Sequence, residues 1–416
     1  MNQAKPSIHI IGAGISGLIA AKVLEDQGFA PVILEATERP GGRVKTDIVQ
    51  GFQLDQGFQV LLSNYPAAQK YLDYKALELQ AFESGACIFV KGQQKFLGDP
   101  LRNMGLLFPT LFSGIGGLLD KVKILQLNLK LQKKSLEEIF ASPEKTTYQY
   151  LQDFGFSEGM ISQFFQPFFA GIFLETALQT SSRMFEFVFK LFGEGLALLP
   201  KGGIEKIAQQ LTQQLKHTTF KFNTKVAKVE GQQIILENGQ KITTDYTIIA
   251  TAAPSLVPTL VTAPIQWKSC QTLYFTTPKR VYAAPYIGLI PNKKSLINNI
   301  FYPTSLAMQQ QGKGELLSVT VVQEHQLSEE ALIAQVTQEL QQECNISEVT
   351  FLKIYHIPKA LPQLQNLQYE LTPTATQLTE HIFLAGDVLL NGSLNAAMLA
   401  GERAAQRVGE LILKGG

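Results

Sequence analysis

Residues 8–18 read IHIIGAGISGL, and this stretch decides the fold. An apolar, β-branched run ends at a glycine, which is typical of a buried strand in a parallel sheet. Apolar residues then recur on one helical face over residues 15–27, and Gly28 supplies the stop signal. A second strand-like run covers residues 31–35. This order predicts a βαβ unit with a right-handed crossover and a ligand at the carboxyl ends of its strands.

Three glycines follow the pattern G-x-G-x-x-G where the first strand turns into the helix, at Gly12, Gly14 and Gly17. Gly12 permits the tight turn, Gly14 lets the backbone approach a diphosphate, and Gly17 lets the helix pack close to the strand. The helix N-terminus offers free N–H groups and a partial positive charge to that diphosphate. Glu35 follows at the spacing expected of an acid that accepts from a ribose hydroxyl, which disfavours NADP.

Composition bounds the class of protein. The chain has 416 residues, of which 45% are hydrophobic and 17% charged. This balance excludes general disorder and suggests two or three packing units. The net charge is +1, so we expect no nucleic-acid partner. Cys87, Cys270 and Cys344 lie far apart with no C-x-x-C pair, so we expect no metal site and no disulfide framework.

The N-terminal residues and the longest uncharged stretch bear on where in the cell the protein is found. Residues 1–7 lack the pattern of a signal peptide, so we expect a cytoplasmic protein. The stretch between Arg102 and Asp120 is interrupted by Pro109 and four glycines and is too short to span a bilayer. Peripheral membrane contact through residues 104–119, with Lys121 and Lys123 at lipid headgroups, stays open as an expectation.

Changes in composition predict a cofactor domain made of three separated pieces, with a substrate domain inserted between them. The cofactor domain is predicted to cover residues 1–62, 200–258 and 373–416. The substrate domain is predicted to cover 63–199, largely helical, and 259–372, rich in β-structure.

The motif after Glu35 distinguishes a flavin site from a nicotinamide site. In Arg39-Pro40-Gly41-Gly42-Arg43, the glycine pair lets an extended chain pass beside a diphosphate, and Arg43 offers charge-assisted hydrogen bonds. No second G-x-G-x-x-G follows a later strand, so a built-in NAD(P)H site is not expected.

In this order of motifs the sequence resembles the flavin-containing amine oxidase superfamily, which includes monoamine oxidases, protoporphyrinogen oxidases and phytoene desaturases. The matching pieces bracket nearly the whole chain: residues 12–18, 34–36, 39–43, 46, 51–57, 199–203, 250–251, 385–387 and 401–405. Each piece is weak alone, and the ordered set carries the resemblance.

The resemblance implies an α/β fold, in which a Rossmann-like FAD-binding domain carries an inserted substrate domain of mixed β-sheet and helices. It implies FAD as the cofactor, bound by Gly12, Gly14, Ile15, Ser16, Gly17, Glu35, Ala36, Arg39, Gly41, Gly42, Arg43, Val226, Ala250, Gly386, Asp387, Ser393, Leu394 and Ala397. The last helix, starting near Ser393, would point its N-terminus at the flavin and stabilise the reduced anion. Asn391 and Ser393 are also readable as helix caps.

Five residues are candidates for the substrate side of the flavin. Gln56, Phe58 and Gln59 follow Asp55-x-Gly57 and are expected near the isoalloxazine ring, unless they form a strand with alternating burial. His356 and Lys359 lie where the family places substrate-side residues, and a core or surface role is the alternative for His356. No Ser-His-Asp order is apparent, so the catalytic residues stay unassigned.

Departures from the family bear on the reaction. Monoamine oxidases place two aromatic side chains before the flavin, where this chain has Ser393 and the non-aromatic residues 359–361. We therefore expect removal of hydride from a carbon of a hydrophobic small molecule, as in phytoene desaturases or protoporphyrinogen oxidases, with oxygen or a quinone as acceptor. A flavin amine oxidase, a flavin-dependent isomerase of a polyene or lipid, and a redox-inert flavin or lipid carrier stay open as alternatives.

Nine phenylalanines between Phe164 and Phe192 are the most unusual feature of the inserted region. Three roles stay open for them: lining a tunnel for a long apolar substrate, facing a membrane, or forming an ordinary helical core.

Overall fold

The computed structural model describes residues 6–98, 110, 113–258, 260, 265–310 and 312–415. Half of the predicted membrane-contact segment 104–119, residues 104–109 and 111–112, lies outside these residues. The strands in chain order are β1 Ile8–Ile11, β2 Val32–Leu34, β3 Thr46–Val49, β4 Phe52–Asp55, β5 Leu61–Leu62, β6 Leu79–Ala81, β7 Gly85–Val90, β8 Gln93–Gly98, β9 Ala197–Pro200, β10 Thr219–Lys221, β11 Val226–Glu230, β12 Gln233–Leu236, β13 Lys241–Thr243, β14 Tyr246–Ile249, β15 Gln266–Thr277, β16 Ile287–Leu289, β17 Ile297–Phe301, β18 Glu315–Val321, β19 Thr350–Gln363 and β20 Ile382–Leu384.

The helices flank these strands or cluster between β8 and β9. They are α1 Ile15–Asp26, α2 Pro66–Tyr71, α3 Leu118–Gln132, α4 Leu136–Ala141, α5 Thr147–Phe154, α6 Glu158–Met160, a π-helical turn Ile161–Phe165, α7 Gln166–Phe173, α8 Ser182–Glu194, α9 Lys206–Gln214, α10 Glu329–Cys344 and α11 Leu394–Gly415. Short 3-10 turns cover Ala253–Ser255, Pro303–Ser305, Pro373–Thr376 and Asp387–Leu389. Among the described helices, none has the length and apolarity that crossing a bilayer requires.

A five-stranded parallel sheet has the order β10-β2-β1-β14-β20. All four residues of β1 are buried, as expected of a strand covered on both faces. The strands on one side of β1 come from far along the chain: Ile8 of β1 pairs with Tyr246 of β14, and Thr247 of β14 pairs with Ile382 of β20, both in parallel. This sheet, with α1 crossing from β1 to β2, is the βαβ-based unit that the sequence predicts.

Helices α1 and α11 cross at very close range on this sheet. Ser16 Oγ donates a hydrogen bond of 2.6 Å to the Ala397 carbonyl. A Cβ atom at Gly401 would lie only 2.2 Å from the Ser16 carbonyl oxygen. A glycine at this point of α11 is therefore a steric requirement of the crossing.

A second, seven-stranded sheet has the order β19-β15-β18-β17-β16-β7-β8. Neighbouring strands run antiparallel except β16 and β7, which are parallel. Strands β7 and β8 come from the segment 63–199, which the sequence predicts to be largely helical. This segment therefore also contributes two strands to the seven-stranded sheet. The two longest strands, β15 and β19, form one edge of this sheet with two register shifts.

The nine phenylalanines pack as a helical core. Phe165, Phe169, Phe173, Phe185 and Phe187 are each no more than 1% exposed. Their rings contact one another, with centroids 4.8 Å apart for Phe169 and Phe185. Of the three predicted roles, an ordinary helical core therefore describes these five buried phenylalanines.

Candidate functional site

The turn between β1 and α1 leaves room for an anion. Gly12 has φ +101°, and a Cβ there would lie 3.2 Å from the Ala250 carbonyl oxygen. A Cβ at Gly17 would lie 2.0 Å from the Gly12 carbonyl oxygen. The N-cap of α1 is Gly14, which makes no side-chain cap, and the first turn, with Ile15 and Ser16, holds no acidic residue. The backbone N–H groups of this turn thus suit a diphosphate.

The second glycine motif passes directly beside this turn. Gly41 N–H donates to the Ala13 carbonyl at 2.9 Å. A Cβ at Gly42 would lie 3.2 Å from Gly14 Cα, which leaves no room for a side chain without movement. The two glycine motifs, separate in sequence, therefore form one cradle.

Glu35 closes the far side of the cradle. Its carboxylate is buried, with Oε2 accepting from Ala13 N–H at 2.7 Å and Oε1 accepting from Thr37 N–H at 2.9 Å. Each carboxylate oxygen has two acceptor positions, so Oε2 keeps capacity for a ribose hydroxyl. Ala36 follows on the surface. These residues fit the adenosine diphosphate half of FAD.

Arg43 connects the cradle to the segment that follows β20. Its guanidinium makes an ion pair of 2.5 Å with Asp387 and donates to the Ala360 carbonyl at 3.2 Å. It also lies over the indole ring of Trp267, 5.5 Å from the centroid. Gly386, with φ +129°, turns the chain from β20 into this contact. Segments from both sheets therefore meet at Arg43.

The N-terminus of α11 is the next part of the site. Ser393 Oγ accepts from Ala396 N–H at 3.0 Å and donates to Asn391 Oδ1 at 2.7 Å, which is the geometry of a helix cap. Leu394 begins the helix, and the carbonyl of Ala397 is occupied by Ser16. The helix end carries a partial positive charge whether or not it also faces a flavin.

Val226 and Ala250 lie on the adjacent strands. Ala250 N–H donates to the Ile11 carbonyl at 2.9 Å, directly after β14. Val226, at the start of β11, is buried in a cluster with Ile11 and Leu34, the last residues of β1 and β2. Both predicted positions thus lie at the carboxyl ends of the parallel strands.

A small cavity begins directly after β4 and has an aromatic wall. Phe58, Phe82 and Phe301 line it, with ring centroids 4.6 Å apart for Phe82 and Phe301 and 5.6 Å apart for Phe58 and Phe301. The rest of the lining consists of Gln53, Asp55, Gly57, Gln59, Leu199, Tyr274, Pro303, Met308 and Ser318. Phe58 and Gln59 therefore both line this cavity, and their place near the isoalloxazine ring stays a prediction.

Asp55 is the acidic group of this cavity. Its Oδ1 accepts from Thr46 Oγ1 at 2.5 Å and from Ile204 N–H at 3.0 Å. Burial, together with the nearby Glu205 carboxylate, raises the pKa of Asp55 from 3.8 to about 6. The Tyr274 hydroxyl donates to the Asp55 carbonyl at 2.8 Å. The cavity thus combines apolar walls with one carboxyl group.

Two other candidates are held by polar partners. Gln56 Nε2 donates to Asp47 at 3.0 Å, so this side chain points into the Arg39–Asp47 ion pair. Arg39 also lies 3.7 Å from Glu205, so its charge is compensated within the chain. Gln59 Nε2 instead donates to the Arg43 carbonyl at 2.8 Å and fixes the cradle to the cavity.

His356 and Lys359 lie on β19 but do not line this cavity. His356 is exposed, 3.1 Å from Glu329 of α10. Lys359 is exposed as well. The β19 residue that faces the site is Ile357, whose Cδ1 would lie 2.9 Å from a Cβ at Gly57. Alternation along the strand places neighbouring side chains on opposite faces, which separates Ile357 from His356.

Sequence reasoning missed Phe82, Phe301 and Trp267. The first two follow no motif, and only the fold brings them to Phe58. Trp267 had a signal, since it is the only tryptophan in the chain. It lies opposite Pro362 in the β15–β19 ladder, so an aromatic ring stands beside the region 359–361, which has none of its own. None of the nine phenylalanines between Phe164 and Phe192 lines this cavity.

Comparison with known proteins supports the predicted fold. The family model described as flavin containing amine oxidoreductase matches residues 15–409. A solved structure described as a protoporphyrinogen oxidase from Exiguobacterium sp. 255-15 is 17% identical, with a TM-score of 0.71 over 99% of this chain and 100% of that one. Cyclohexylamine oxidase from Brevibacterium oxydans IH-35A is 14% identical, with a TM-score of 0.70 over 99% of this chain and 100% of that one.

A curated relative extends the comparison. L-amino-acid oxidase from Protobothrops flavoviridis is 26% identical over 272 residues, which is 62% of this chain and 50% of that protein. The chain thus spans about half the length of this curated relative. The predicted α/β fold with a Rossmann-like domain is confirmed, since the solved structures share it over nearly their whole length.

Proposed function

Because the chain belongs to the flavin containing amine oxidoreductase family and FAD is its cofactor, we propose that it removes hydride from a carbon of a hydrophobic small molecule. The class of enzyme is that of an FAD-dependent oxidoreductase. The proposed substrate class depends on the side chains that line the cavity.

The observation that carries the proposal is the aromatic wall of Phe58, Phe82 and Phe301 directly after Asp55-x-Gly57. Asp55 and Tyr274 are the only ionisable residues among those that line this cavity. Apolar walls favour an apolar substrate because the substrate loses its contact with water on binding. The cavity therefore suits a hydrocarbon-like ring or chain better than a strongly charged molecule.

When bound, FAD supplies the hydride acceptor. The residues of this chain then have separate tasks. The Gly12–Gly17 turn and Gly42 bind the diphosphate, and Glu35 accepts from the ribose. Arg43, held by Asp387, neutralises nearby negative charge. The phenylalanines exclude water and orient the reacting carbon.

An amine oxidase is the second candidate, and Asp55 favours it. A carboxylate inside an apolar cavity attracts a cationic ammonium group, because their attraction is weakly screened there. Asp55 carries its charge above a pH of about 6, the value to which burial raises its pKa. An amine would therefore find an anchor at neutral pH.

Anaerobic mixing tests the two proposals. The FAD-loaded protein is mixed with an apolar isoprenoid, a primary amine and an L-amino acid, and the visible absorption of the flavin is followed. We expect the isoprenoid to bleach the flavin and the other two to leave it oxidised. Bleaching by an amine alone would replace the first proposal with the second.

A matched pair of variants tests the role of the aromatic wall. Phe58→Leu shortens the wall, whereas Phe351→Leu makes the same change at a partly buried ring packed against the other core. We expect Phe58→Leu to raise the apparent substrate Kd about tenfold, and Phe351→Leu to leave it within twofold. Equal effects would show that the cavity does not bind the substrate.

The electron acceptor is proposed to be oxygen or a quinone. After anaerobic reduction, air and a water-soluble quinone are admitted separately, and the return of the flavin absorption is timed. Faster reoxidation by one acceptor would support that acceptor class for the enzyme. If product forms while neither acceptor is consumed, the reaction is an isomerisation and the hydride returns to the substrate.

A further inference from the structure

The two carboxyl oxygens of Asp55 differ in their surroundings. Oδ1 accepts hydrogen bonds from Thr46 Oγ1 at 2.5 Å and from Ile204 N–H at 3.0 Å. Oδ2 accepts none from the residues that the structure describes. Asp55 keeps 9% of its surface accessible, and it lines the cavity with the aromatic wall. Oδ2 is therefore the carboxyl oxygen that is available to a molecule in this cavity.

The position of this oxygen is fixed through the rest of the residue. The Asp55 carbonyl accepts from the Tyr274 hydroxyl and from Gly57 N–H, both at 2.8 Å. Thr46, which holds Oδ1, lies directly opposite Asp55 in the antiparallel pair of β3 and β4. A side chain held at its backbone and at one carboxyl oxygen keeps the other oxygen in one direction, which a reacting group requires.

The ionisable groups around Asp55 leave its negative charge uncompensated inside the cavity. They are Glu205, directly before α9, Tyr274 on β15 and Tyr355 on β19. Burial raises the pKa of both tyrosines, so they stay neutral. Arg39 lies 3.7 Å from Glu205, which directs its charge to that carboxylate. None of the described residues that line the cavity is a lysine, an arginine or a histidine.

Hydride removal from a hydrocarbon creates a need for such a carboxylate. The carbon that loses hydride becomes cationic, and a carboxylate in an apolar cavity attracts this cation because water does not screen the attraction. A C=C bond forms only when the neighbouring carbon also loses a proton, so the reaction needs a base beside the reacting carbons. Asp55 is the only carboxyl group among the described residues that line the cavity.

We propose that Asp55 is the catalytic base that turns hydride removal into the formation of a C=C bond. The hydride leaves one carbon with its electron pair for the flavin. The C–H bond of the neighbouring carbon then breaks, its electron pair forms the new π bond, and its proton binds to Asp55 Oδ2. The product is a neutral alkene, and the carboxyl group later returns the proton to water. This inference rests on the proposed hydride removal and makes the substrate a hydrocarbon with C–H bonds on two adjacent carbons.

The pH dependence of the reaction follows from the same carboxyl group. Only the ionised form accepts the proton, and burial together with Glu205 raises the pKa of Asp55 to about 6. The rate of flavin reduction is therefore expected to rise with pH until about 6 and to level off above it. Glu205→Gln removes the repelling charge, so the pKa of Asp55 falls and the rise in rate moves to lower pH.

Single-turnover reduction of the full-length, FAD-loaded protein tests the proposal. The protein is mixed anaerobically with limonene, farnesene or squalene in detergent micelles, and the loss of flavin absorption is timed at several concentrations. We expect Asp55→Asn to lower the limiting rate at least about a hundredfold. Its apparent Kd should stay within threefold of the wild type, because the aromatic wall is unchanged. The matched control is Glu339→Gln, which changes a carboxylate of α10 that is 4% exposed and does not line the cavity, and its rate should stay within twofold.

Infrared difference spectra follow the same carboxyl group without any turnover. Between pH 7 and pH 5 most exposed carboxylates stay ionised, whereas Asp55 takes up its proton. We expect the wild type to gain the band of a protonated carboxyl group over this range and Asp55→Asn to lack it. In Glu205→Gln the band should appear only at lower pH, in parallel with the shift of the rate profile.

The outcomes separate this inference from the proposed function. If a hydrocarbon reduces the wild type and Asp55→Asn at similar rates, hydride removal stands and Asp55 is not the base. If the rate profile of Glu205→Gln matches that of the wild type, the group that titrates in the reaction is not Asp55. If none of the three hydrocarbons reduces the wild type, the proposed hydride removal falls, and this inference falls with it.

Discussion

At the scale of single residues, Asp55 is the group whose chemistry depends most on its surroundings. It is buried at the end of β4, and burial raises its pKa from 3.8 to about 6. An acid whose pKa is higher in the folded state binds its proton more tightly there than when unfolded. Its contribution to the free energy of unfolding therefore falls as the pH rises from about 4 to about 6, by roughly 3 kcal/mol.

Asp55→Asn tests this dependence. The amide keeps an oxygen for Thr46 and Ile204 but carries no charge, so we expect the variant to gain about 1–3 kcal/mol over the wild type at pH 8. At pH 4 the gain should vanish, because the wild-type carboxyl is then protonated. Urea unfolding at both pH values measures the difference. Glu230→Gln, an exposed carboxylate, should change stability by less than about 0.5 kcal/mol at either pH.

The fluorescence of a single residue, Trp267, can test where the flavin binds. It is the only tryptophan, and Arg43 lies over its ring in the predicted cofactor site. We expect its fluorescence to fall by more than half when the apoprotein binds FAD, because flavin close to an indole quenches its emission. A titration against free tryptophan amide at equal absorbance corrects for light absorbed by FAD. Quenching no greater than that of the free indole would place the flavin away from Arg43.

At the scale of elements, the crossing of α1 and α11 fixes the position of the glycine-rich turn before α1. Helix α11 has two glycines at tight positions against α1, but the neighbouring atoms differ. A Cβ at Gly401 meets the backbone oxygen of Ser16, whereas a Cβ at Gly409 meets the end of the Gln27 side chain. Backbone atoms in a packed helix cannot move aside, and the end of a flexible side chain can.

Gly401→Ala and Gly409→Ala therefore form a matched pair. We expect Gly401→Ala to lose at least about 1–3 kcal/mol of stability and to weaken FAD binding, since α1 must shift at its N-terminus. Gly409→Ala is expected to be neutral, or to gain up to about 1 kcal/mol from helix propensity. Thermal unfolding and FAD titration measure both effects. A stable, fully FAD-binding Gly401→Ala protein would contradict the crossing described above.

The elements also show what the sequence could predict. The βαβ unit and the last helix followed from local patterns, because apolar spacing and glycine positions lie within a few residues of each other. The aromatic wall did not follow, because Phe58, Phe82 and Phe301 are joined only by long-range packing. His356 illustrates the same limit. The sequence does not show which face of β19 lies toward the site, and the next residue, Ile357, is the one on that face.

At the scale of the whole molecule, the cradle draws on the start, the middle and the end of the chain. Glycines of the first 45 residues, Ala250 and Asp387 all border it. A ligand that binds only the folded state stabilises all of these segments together. The cofactor is thus expected to stabilise the protein globally.

Thermal unfolding with and without FAD tests this coupling. At a free FAD concentration 1,000 times Kd, we expect about 4 kcal/mol of stabilisation and a rise in Tm of several degrees. Riboflavin lacks the diphosphate that we propose for the Gly12–Gly17 turn, so it should raise Tm much less. Equal shifts for the two ligands would remove the diphosphate role of that turn.

The order of the parallel sheet has a consequence for synthesis of the chain. Strand β1 lies in the middle of the sheet, yet its neighbour β14 begins at Tyr246 and the edge strand β20 begins at Ile382. At about 5–20 residues per second, β1 leaves the ribosome roughly 10–50 s before β14 follows. During that time one edge of an apolar strand has no partner from the sheet. We therefore expect a nascent chain to expose this edge to chaperones, and the cradle to be complete only after Asp387 has been synthesised.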